Sequence, residues 1–216
     1  MEVINLSEFN SIINNILFEL RDVEIQKDRE RFRNNIKKLG CLIGYEISKT
    51  LNFFKEKVKT PFEEIEINII KDQPVLATIL RAGLPLLDGL LTVFTNSDCA
   101  FISAKRKSNS DNEIYIKIEY ISTPKIENKI LILCDPMLAT GYSIKEVYYA
   151  LLKYGEPAYT HIASIISSKP GIEYLKNNLP KNVSIWTTAI DESLNSKAYI
   201  VPGLGDAGDL SYGKSF

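Results

Sequence analysis

The sequence predicts an α/β fold with a mostly parallel sheet and helices on both of its faces. Short apolar runs at Val75–Leu80, Ile130–Cys134 and 162–166 are typical of strands that are buried on both sides. Segments with helical spacing of apolar residues alternate with these runs, which is the pattern of a parallel sheet. Two of the runs end in unusual loops, 81–83 and 135–143. Because ligands of such sheets lie beyond the carboxyl ends of the strands, we expect the two loops to share one site.

Two helices are predicted before the first buried strand. Apolar residues recur at helical spacing over 7–20, and a second apolar face runs through 28–54. Gly40 interrupts the second helix at a modest cost. Residues 64–70 alternate between apolar and polar side chains, which predicts a strand or one arm of a hairpin.

The remaining elements follow from the same periodicities and from the position of glycine and proline. Leu84–Val93 is predicted as a helix, with Pro85 tolerated in its first turn. Polar, charged and aperiodic residues predict a mobile loop over 105–113, and Gly155 is expected to end the helix after Ser143. In chain order the other predicted elements are strands over 75–80, 99–104, 114–121, 130–134, 162–166 and 183–189, helices over 143–154 and 171–178, and an irregular tail over 199–216.

Composition and charge restrict the classes of partner. The 216 residues suit one α/β domain, and a formal net charge of −1 gives no general attraction to nucleic acid or to an anionic membrane. Cys41, Cys99 and Cys134 are distant from one another and odd in number, which indicates neither a disulfide framework nor a zinc site. No run is long enough to span a bilayer, and the first residues do not resemble a signal peptide. We therefore expect a cytoplasmic protein.

The stretch from Asp135 to Ser143 is the strongest chemical signal. Asp135 directly follows five apolar residues, so its carboxylate is expected where the sheet ends. The small or hydroxylated residues Ala139, Thr140, Gly141 and Ser143 allow backbone N–H groups to converge on an anion, and a helix start behind them favours negative charge. This predicts a phosphate site beside a carboxylate that faces ribose or metal. The alternative is an ordinary strand–helix connection in which Ser143 only caps the helix.

Cationic residues follow two other predicted strands. Arg81 has the planar fork that suits phosphate oxygens, and Gly83 allows an unusual backbone path, although such an arginine could also simply pair with a carboxylate. Charge runs such as Lys105, Arg106 and Lys107 are usually solvated surface. Close to a phosphate site, however, a cationic loop could close over an anionic substrate and exclude water.

Several chemistries are disfavoured. Residues 203–208 match Gly-x-Gly-x-x-Gly, but the chain ends soon afterwards and no βαβ unit follows, so a dinucleotide site is not indicated. His161 is the only histidine and lies in an apolar strand pattern, which argues against a Ser-His-Asp triad and a zinc hydrolase. The phosphate-binding pattern Gly-x-x-x-x-Gly-Lys-[Ser/Thr] is absent from the sequence.

Three motifs resemble those of the uracil phosphoribosyltransferases. Residues 135–141 with Ser143 are similar to that family's motif for 5-phosphoribosyl 1-diphosphate (PRPP). Residues 79–84 are similar to its pyrophosphate loop, and 199–209 are similar to its uracil-binding tail. Residues 31–33 and 40–46 also fall where the family's N-terminal helices have similar residues. The motifs occur in the family's order, and the resemblance covers nearly the whole chain.

The resemblance implies a type I phosphoribosyltransferase core in a single domain, 1–216. Its N-terminal helices would cover about 7–57, its core about 63–190, and a C-terminal hood that binds uracil about 190–216. The implied reaction is uracil plus PRPP giving UMP and diphosphate in pyrimidine salvage. The implied cofactor is Mg²⁺, with no direct protein ligand and coordination mainly by PRPP and water.

The resemblance also implies roles for single residues. Those implied in catalysis are Arg106, Asp135 and Asp206. Those implied in PRPP binding are Arg81, Ala82, Gly83, Arg106, Asp135, Pro136, Met137, Leu138, Ala139, Thr140, Gly141, Tyr142, Ser143 and Asp206. Those implied in uracil binding, largely through backbone groups, are Ile200, Gly205, Asp206 and Ala207.

Two positions depart from the family's pattern. Tyr142 stands where relatives usually have glycine, and we expect its ring to lie at the surface or in an interface. Lys105 replaces a tyrosine before Arg106, so that Lys105 or Lys107 could share the role of the arginine. These changes leave open a non-catalytic regulator of the same fold that binds nucleotides or RNA, although the balanced charge argues against it. An enzyme of the same fold that uses another base is a third possibility, which the intact tail 199–209 disfavours. The resemblance further implies a homodimer or higher homo-oligomer, and GTP is an effector of some relatives.

Overall fold

The structure is a computed structural model that describes residues 1–108 and 114–214, without the side chains of 106–108 and 114. In chain order its elements are β1 (Glu2–Asn5), α1 (Ile12–Arg21), α2 (Arg29–Ser48), β2 (Phe53–Lys59), β3 (Glu64–Ile70), β4 (Val75–Leu80), α3 (Leu84–Val93), β5 (Cys99–Ser108), β6 (Ile114–Ser122), β7 (Ile130–Cys134), β8 (Met137–Leu138), α4 (Tyr142–Leu151), β9 (Tyr159–Ser168), α5 (Lys169–Asn178), β10 (Val183–Asp191), β11 (Ser193–Leu194), β12 (Ile200–Val201) and α6 (Ala207–Tyr212).

The central sheet has the strand order β1-β10-β9-β7-β4-β5-β6, and the short strand β8 also pairs with β9. Every pairing in it is parallel except that of β6 with β5. The predicted α/β class is therefore confirmed. Because β4, β7 and β9 run in the same direction, the loops that follow them emerge at one edge, which is where ligands bind in such sheets.

Alternate residues of the buried strands pack into two apolar layers. Leu76 and Ile132 face a layer completed by α1, α2 and α3. Ala77 and Leu133 face the opposite layer, which is completed by α4 and α5. Each fully buried leucine or isoleucine contributes about 1.5–3 kcal/mol to the stability of the fold. The two layers together therefore hold in place the edge of the sheet from which the loops emerge. Among the described residues, no helix combines the length and apolar character needed to cross a bilayer.

The N-terminal region differs from its predicted boundaries. The first helix begins at Ile12 rather than near residue 7, because Ser11 caps it by accepting a hydrogen bond from the Ile13 N–H at 3.2 Å. The second helix ends at Ser48, so its predicted extension to residue 54 is wrong. The N-terminal helices also do not extend to about residue 57 as expected, because Phe53–Lys59 forms the strand β2. Instead β2 pairs antiparallel with β3 in a separate hairpin, and β1 is a strand that the periodicity did not indicate.

Two predicted irregular segments also differ. Residues 105–108 continue β5 and pair with β6, so the predicted loop is wrong there, whereas 109–113 lie outside the described residues. The tail was expected to be irregular but contains β12 and α6. The helix forms because Asp206 caps it, with Oδ1 accepting from the Asp209 N–H at 2.9 Å.

Candidate active site

Two adjoining cavities lie at the carboxyl edge of the sheet. The larger, of about 370 Å³, is bordered by the end of β4, the loop after β7 and the C-terminal tail. The smaller, of about 80 Å³, is bordered by the start of α4. Asp135, Met137 and Ala139 line both cavities, so one ligand could extend from the larger into the smaller.

Asp135 lies where the two cavities meet. Its backbone N–H donates to the Ala163 carbonyl at 3.1 Å, which continues the sheet by one residue and fixes the direction of the side chain. Oδ1 accepts a long hydrogen bond, 3.3 Å, from the Met137 N–H. Burial raises the pKa of Asp135 to about 7, because the hydrogen bond from Met137 offsets part of the cost of desolvation and not all of it. The carboxylate is thus suited to accept hydrogen bonds from a ligand.

The start of α4 lies where the sequence predicts an anion site. Its N-cap is Gly141, in the left-handed conformation at φ +80°, and no side chain caps the helix. The alternative in which Ser143 caps the helix is therefore wrong, since Ser143 lies in the first turn. The first N–H groups of a helix have no partner within the helix, and those of this turn can face a phosphate, apart from the Tyr142 N–H, which donates to Thr140 Oγ1 at 3.4 Å. A Cβ at Gly141 would lie 3.0 Å from the Tyr174 ring, so both conformation and space require glycine.

Two serines of β9 anchor this loop, and sequence reasoning did not identify them. Ser164 Oγ accepts a hydrogen bond from the Leu138 N–H at 3.1 Å. Ser168 Oγ donates to the Ala139 carbonyl at 2.6 Å and accepts from the Gly171 N–H at 2.9 Å, so it also caps α5. The sequence did contain an indication of this role, because hydroxyl groups inside an apolar buried strand need hydrogen-bond partners.

The other residues of the predicted PRPP motif have distinct surroundings. The carbonyl of Pro136 accepts from the N–H groups of Ile165 and Ile166 at 3.1 Å, which ties the loop to β9. Leu138 is fully buried beneath the smaller cavity. Thr140 lines that cavity, and its Oγ1 accepts from the Tyr142 N–H at 3.4 Å.

The ring of Tyr142 lies at the surface, as predicted. The residue is 41% exposed, and its ring contacts the Tyr174 ring edge-on, with centroids 4.6 Å apart. The ring does not line either cavity. A side chain at this position is therefore compatible with an open phosphate loop.

Of the two arginines predicted to hold the pyrophosphate, the structure describes one side chain. Arg81 Nη2 donates to the Gly213 carbonyl at 3.1 Å and lies 3.5 Å from Asp209 Oδ1, so this arginine contacts the tail. Ala82 lines the larger cavity, and Gly83 packs so tightly that a Cβ would lie 2.2 Å from Thr78 Oγ1. The side chain of Arg106 lies outside the described residues, and its role stays a prediction.

The residues predicted to bind uracil meet Asp135 in the larger cavity. Ile200 is buried, and Gly205 takes a φ of +93° that suits glycine. Asp206 is exposed at the cavity wall, where its Oδ1 caps α6, and Ala207 follows it. The fold therefore brings Asp135 together with tail residues that lie about 70 positions further along the sequence.

Comparison with known proteins identifies the family. A family model described as uracil phosphoribosyltransferase matches residues 9–214. The chain belongs to the uracil phosphoribosyltransferase family. A relative of that name from Porphyromonas gingivalis is 49% identical over 99% of both chains, and one from Pyrococcus furiosus is 40% identical over 96% of this chain and 88% of its own.

Solved structures show which fold the chain shares. A protein from Aquifex aeolicus is 30% identical, covers 99% of both chains and has a TM-score of 0.86. A hypoxanthine-guanine phosphoribosyltransferase from Bacillus anthracis, at 12% identity and a TM-score of 0.51, covers 76% of this chain and 80% of its own. The second similarity concerns the fold alone, which confirms the predicted type I phosphoribosyltransferase core.

Three arginines hold the tail of this family member against its core. Arg21 at the end of α1 donates to the Gly203 carbonyl at 3.0 Å, and Arg33 of α2 donates to the Ser211 carbonyl at 2.7 Å. Arg81 contributes the third such contact. The tail is thus bound through its backbone, and neither Arg21 nor Arg33 was among the predicted site residues.

Proposed function

We propose that the chain transfers the phosphoribosyl group of PRPP to N1 of uracil, giving UMP and diphosphate. The observation that carries the proposal is the meeting of Asp135 and the glycine-rich tail in one cavity, which adjoins the uncapped start of α4. Membership of the uracil phosphoribosyltransferase family supports the same reaction.

The two cavities divide the substrate by its chemistry. The 5′-phosphate suits the smaller cavity, where the first N–H groups of α4 attract an anion. The ribose then lies over Asp135, whose carboxylate can accept hydrogen bonds from its hydroxyl groups. As the C1′–oxygen bond to diphosphate breaks, positive charge builds on the ribose, and a negative carboxylate stabilises it. Arg81 and Arg106 are proposed to stabilise the negative leaving group.

The Mg²⁺ ion, when bound, would neutralise charge on the departing diphosphate. Within residues 1–108 and 114–214, no three His, Cys, Asp or Glu side chains converge as a metal site. The ion is proposed to be held mainly by PRPP oxygens and water, because Mg²⁺ usually keeps several waters and binds few carboxylates. Asp135 and Asp206 line the same cavity and are the carboxylates available to accept hydrogen bonds from such waters.

Uracil is proposed to bind the backbone of the tail. Gly205 and Gly208 allow the main chain to approach a flat base closely, and Ile200 provides an apolar wall. Backbone groups that pair with the O4 and N3–H edge of uracil would be left unpaired by cytosine, which has an amino group and an unprotonated ring nitrogen there. Such a mismatch disfavours cytosine strongly.

The decisive experiment is transfer itself. Purified protein is incubated with labelled uracil, PRPP and Mg²⁺, and UMP is separated from uracil. We expect UMP formation that depends on PRPP, with cytosine and purine bases inactive in the same assay. Transfer to another base would indicate a different acceptor. Absence of transfer over a range of pH and with GTP, together with RNA or nucleotide binding, would instead support the regulator of the same fold.

The assembly and its setting are also proposals. We expect a homodimer or higher homo-oligomer, because apolar side chains are exposed on the β2–β3 hairpin and on α1, among them Phe62, Phe54 and Ile12. Light scattering after size-exclusion chromatography measures this. Activation by GTP is tested in the transfer assay. A role in cytoplasmic pyrimidine salvage is tested by whether a pyrimidine-requiring strain that expresses the protein grows on uracil.

A further inference from the structure

A bidentate ion pair joins the end of α1 to the end of β10. Arg21 Nη1 lies 2.9 Å from Asp191 Oδ2, and Arg21 Nη2 lies 2.8 Å from Asp191 Oδ1. The Asp191 side chain is 7% exposed and that of Arg21 is 26% exposed. The pair is therefore less screened by water than a surface salt bridge and has a defined geometry.

The same two side chains also hold both backbone groups of Gly203. Arg21 Nη1 donates to the Gly203 carbonyl at 3.0 Å, and the Gly203 N–H donates to Asp191 Oδ2 at 2.8 Å. Gly203 has a φ of +61°, and a Cβ there would lie 2.2 Å from the Ile200 carbonyl. The peptide at this position is thus fixed from two sides in a left-handed conformation that favours glycine, and the close Ile200 carbonyl leaves no space for a side chain.

Gly203 lies between the parts of the tail that form the base site. Ile200 precedes it by three residues, and Gly205 and Ala207 follow it by two and four. All three line the larger cavity, whereas Gly203, Arg21 and Asp191 do not. The ion pair can therefore affect uracil only through the backbone that it holds.

We propose that Arg21 and Asp191 are positioning residues that preform the uracil-binding backbone. This inference rests on the proposed function. The loop 135–143 has separate anchors, Ser164 and Ser168 of β9, so loosening Gly203 leaves that loop in place. The ion pair thus sets affinity for the base much more strongly than affinity for PRPP, because a preformed base site avoids the cost of ordering the tail on binding.

The test compares KM for uracil with KM for PRPP in Arg21→Ala, Arg21→Lys and Asp191→Asn. We expect Arg21→Ala to raise KM for uracil about tenfold or more, as for loss of a charge-assisted hydrogen bond, with KM for PRPP within about twofold. Arg21→Lys should have an intermediate effect, because one ammonium group cannot reproduce the arginine fork. The matched control is Glu192→Gln, which removes the adjacent but exposed pair of Lys169 and Glu192 and should behave as the wild type.

Hydrogen exchange distinguishes positioning from general destabilisation. Amides of 200–208 should exchange faster in Arg21→Lys, and those of 135–143 should not change. The inference is overturned if both KM values rise together, if only the active fraction falls, or if the Arg21 variants match Glu192→Gln. Absence of transfer by the wild type would refute the proposed function instead. Should Asp191→Asn fail to fold, Arg21→Lys still decides the outcome.

Discussion

Replacement of Asp135 by asparagine is expected to stabilise the substrate-free protein at alkaline pH and to slow transfer strongly. Asparagine has nearly the same shape and can still accept the hydrogen bond from the Met137 N–H, but it carries no charge. The substitution therefore removes the cost of holding a carboxylate at the junction of the two cavities. It also removes the negative charge that faces the ribose.

The magnitude follows from the pKa of the carboxyl group. Burial raises the pKa of Asp135 from its ordinary value of 3.8 to about 7 in the folded chain. Because the folded state binds the proton more tightly, the contribution to stability is fully present below about pH 4 and is lost as the pH rises through about 7. About three pH units correspond to about 4 kcal/mol. Water in the open cavity screens the charge, so we expect about half of this, ~2 kcal/mol, near pH 8.5.

Urea unfolding followed by the fluorescence of Trp186, the single tryptophan, measures the effect. The gain in unfolding free energy of Asp135→Asn over the wild type should be small near pH 4 and reach about 2 kcal/mol near pH 8.5. The transfer rate should fall about 100-fold or more, as for other lost transition-state charges. An equal gain at both pH values, or a variant that is less stable at alkaline pH, would show that Asp135 is not held at an energetic cost.

Three further substitutions test the phosphate loop. Ser168→Ala removes the cap of α5 and the hydrogen bond to the Ala139 carbonyl. It should therefore lower the unfolding free energy by about 2–4 kcal/mol and raise KM for PRPP. Unchanged stability would contradict the proposal that Ser168 both caps α5 and anchors the loop. Gly141→Ala should lower the unfolding free energy by about 1–2 kcal/mol, because the φ of Gly141 is +80°, and should weaken PRPP binding measured by calorimetry. Wild-type affinity for PRPP would show that the loop does not need glycine at this position. Tyr142→Ala removes the ring contact with Tyr174 and should lower the unfolding free energy by about 0.5–1.5 kcal/mol, with kcat/KM within about twofold of the wild type. A large fall in kcat/KM would show that the ring takes part in the reaction.

The central strand, its carboxylate and the phosphate loop were predictable from the sequence alone. Five apolar residues, an acid and a run of small residues form a local pattern, because buried strands, tight loops and helix starts each select residue types over short distances. The strands β4 and β7 and the helix α3 were predictable for the same reason, because each is marked by residue types over a short stretch of sequence. The motif of the tail was equally visible, although its helix was not.

Except for α6, whose cap is local, the elements that the sequence did not predict depend on partners far along the chain or on a fold-specific pairing. The strand β2 forms because β3 pairs with it, and 105–108 extend β5 because β6 returns beside them. Ser168 contacts Ala139 across 29 residues, and Arg21 reaches Asp191 and Gly203 across 170 and 182 residues. Local periodicity contains no information about such contacts, since their free energy appears only when the sheet brings the partners together. The sequence alone therefore determined which groups could bind an anion and a base, and the tertiary structure decided how those groups are held in place.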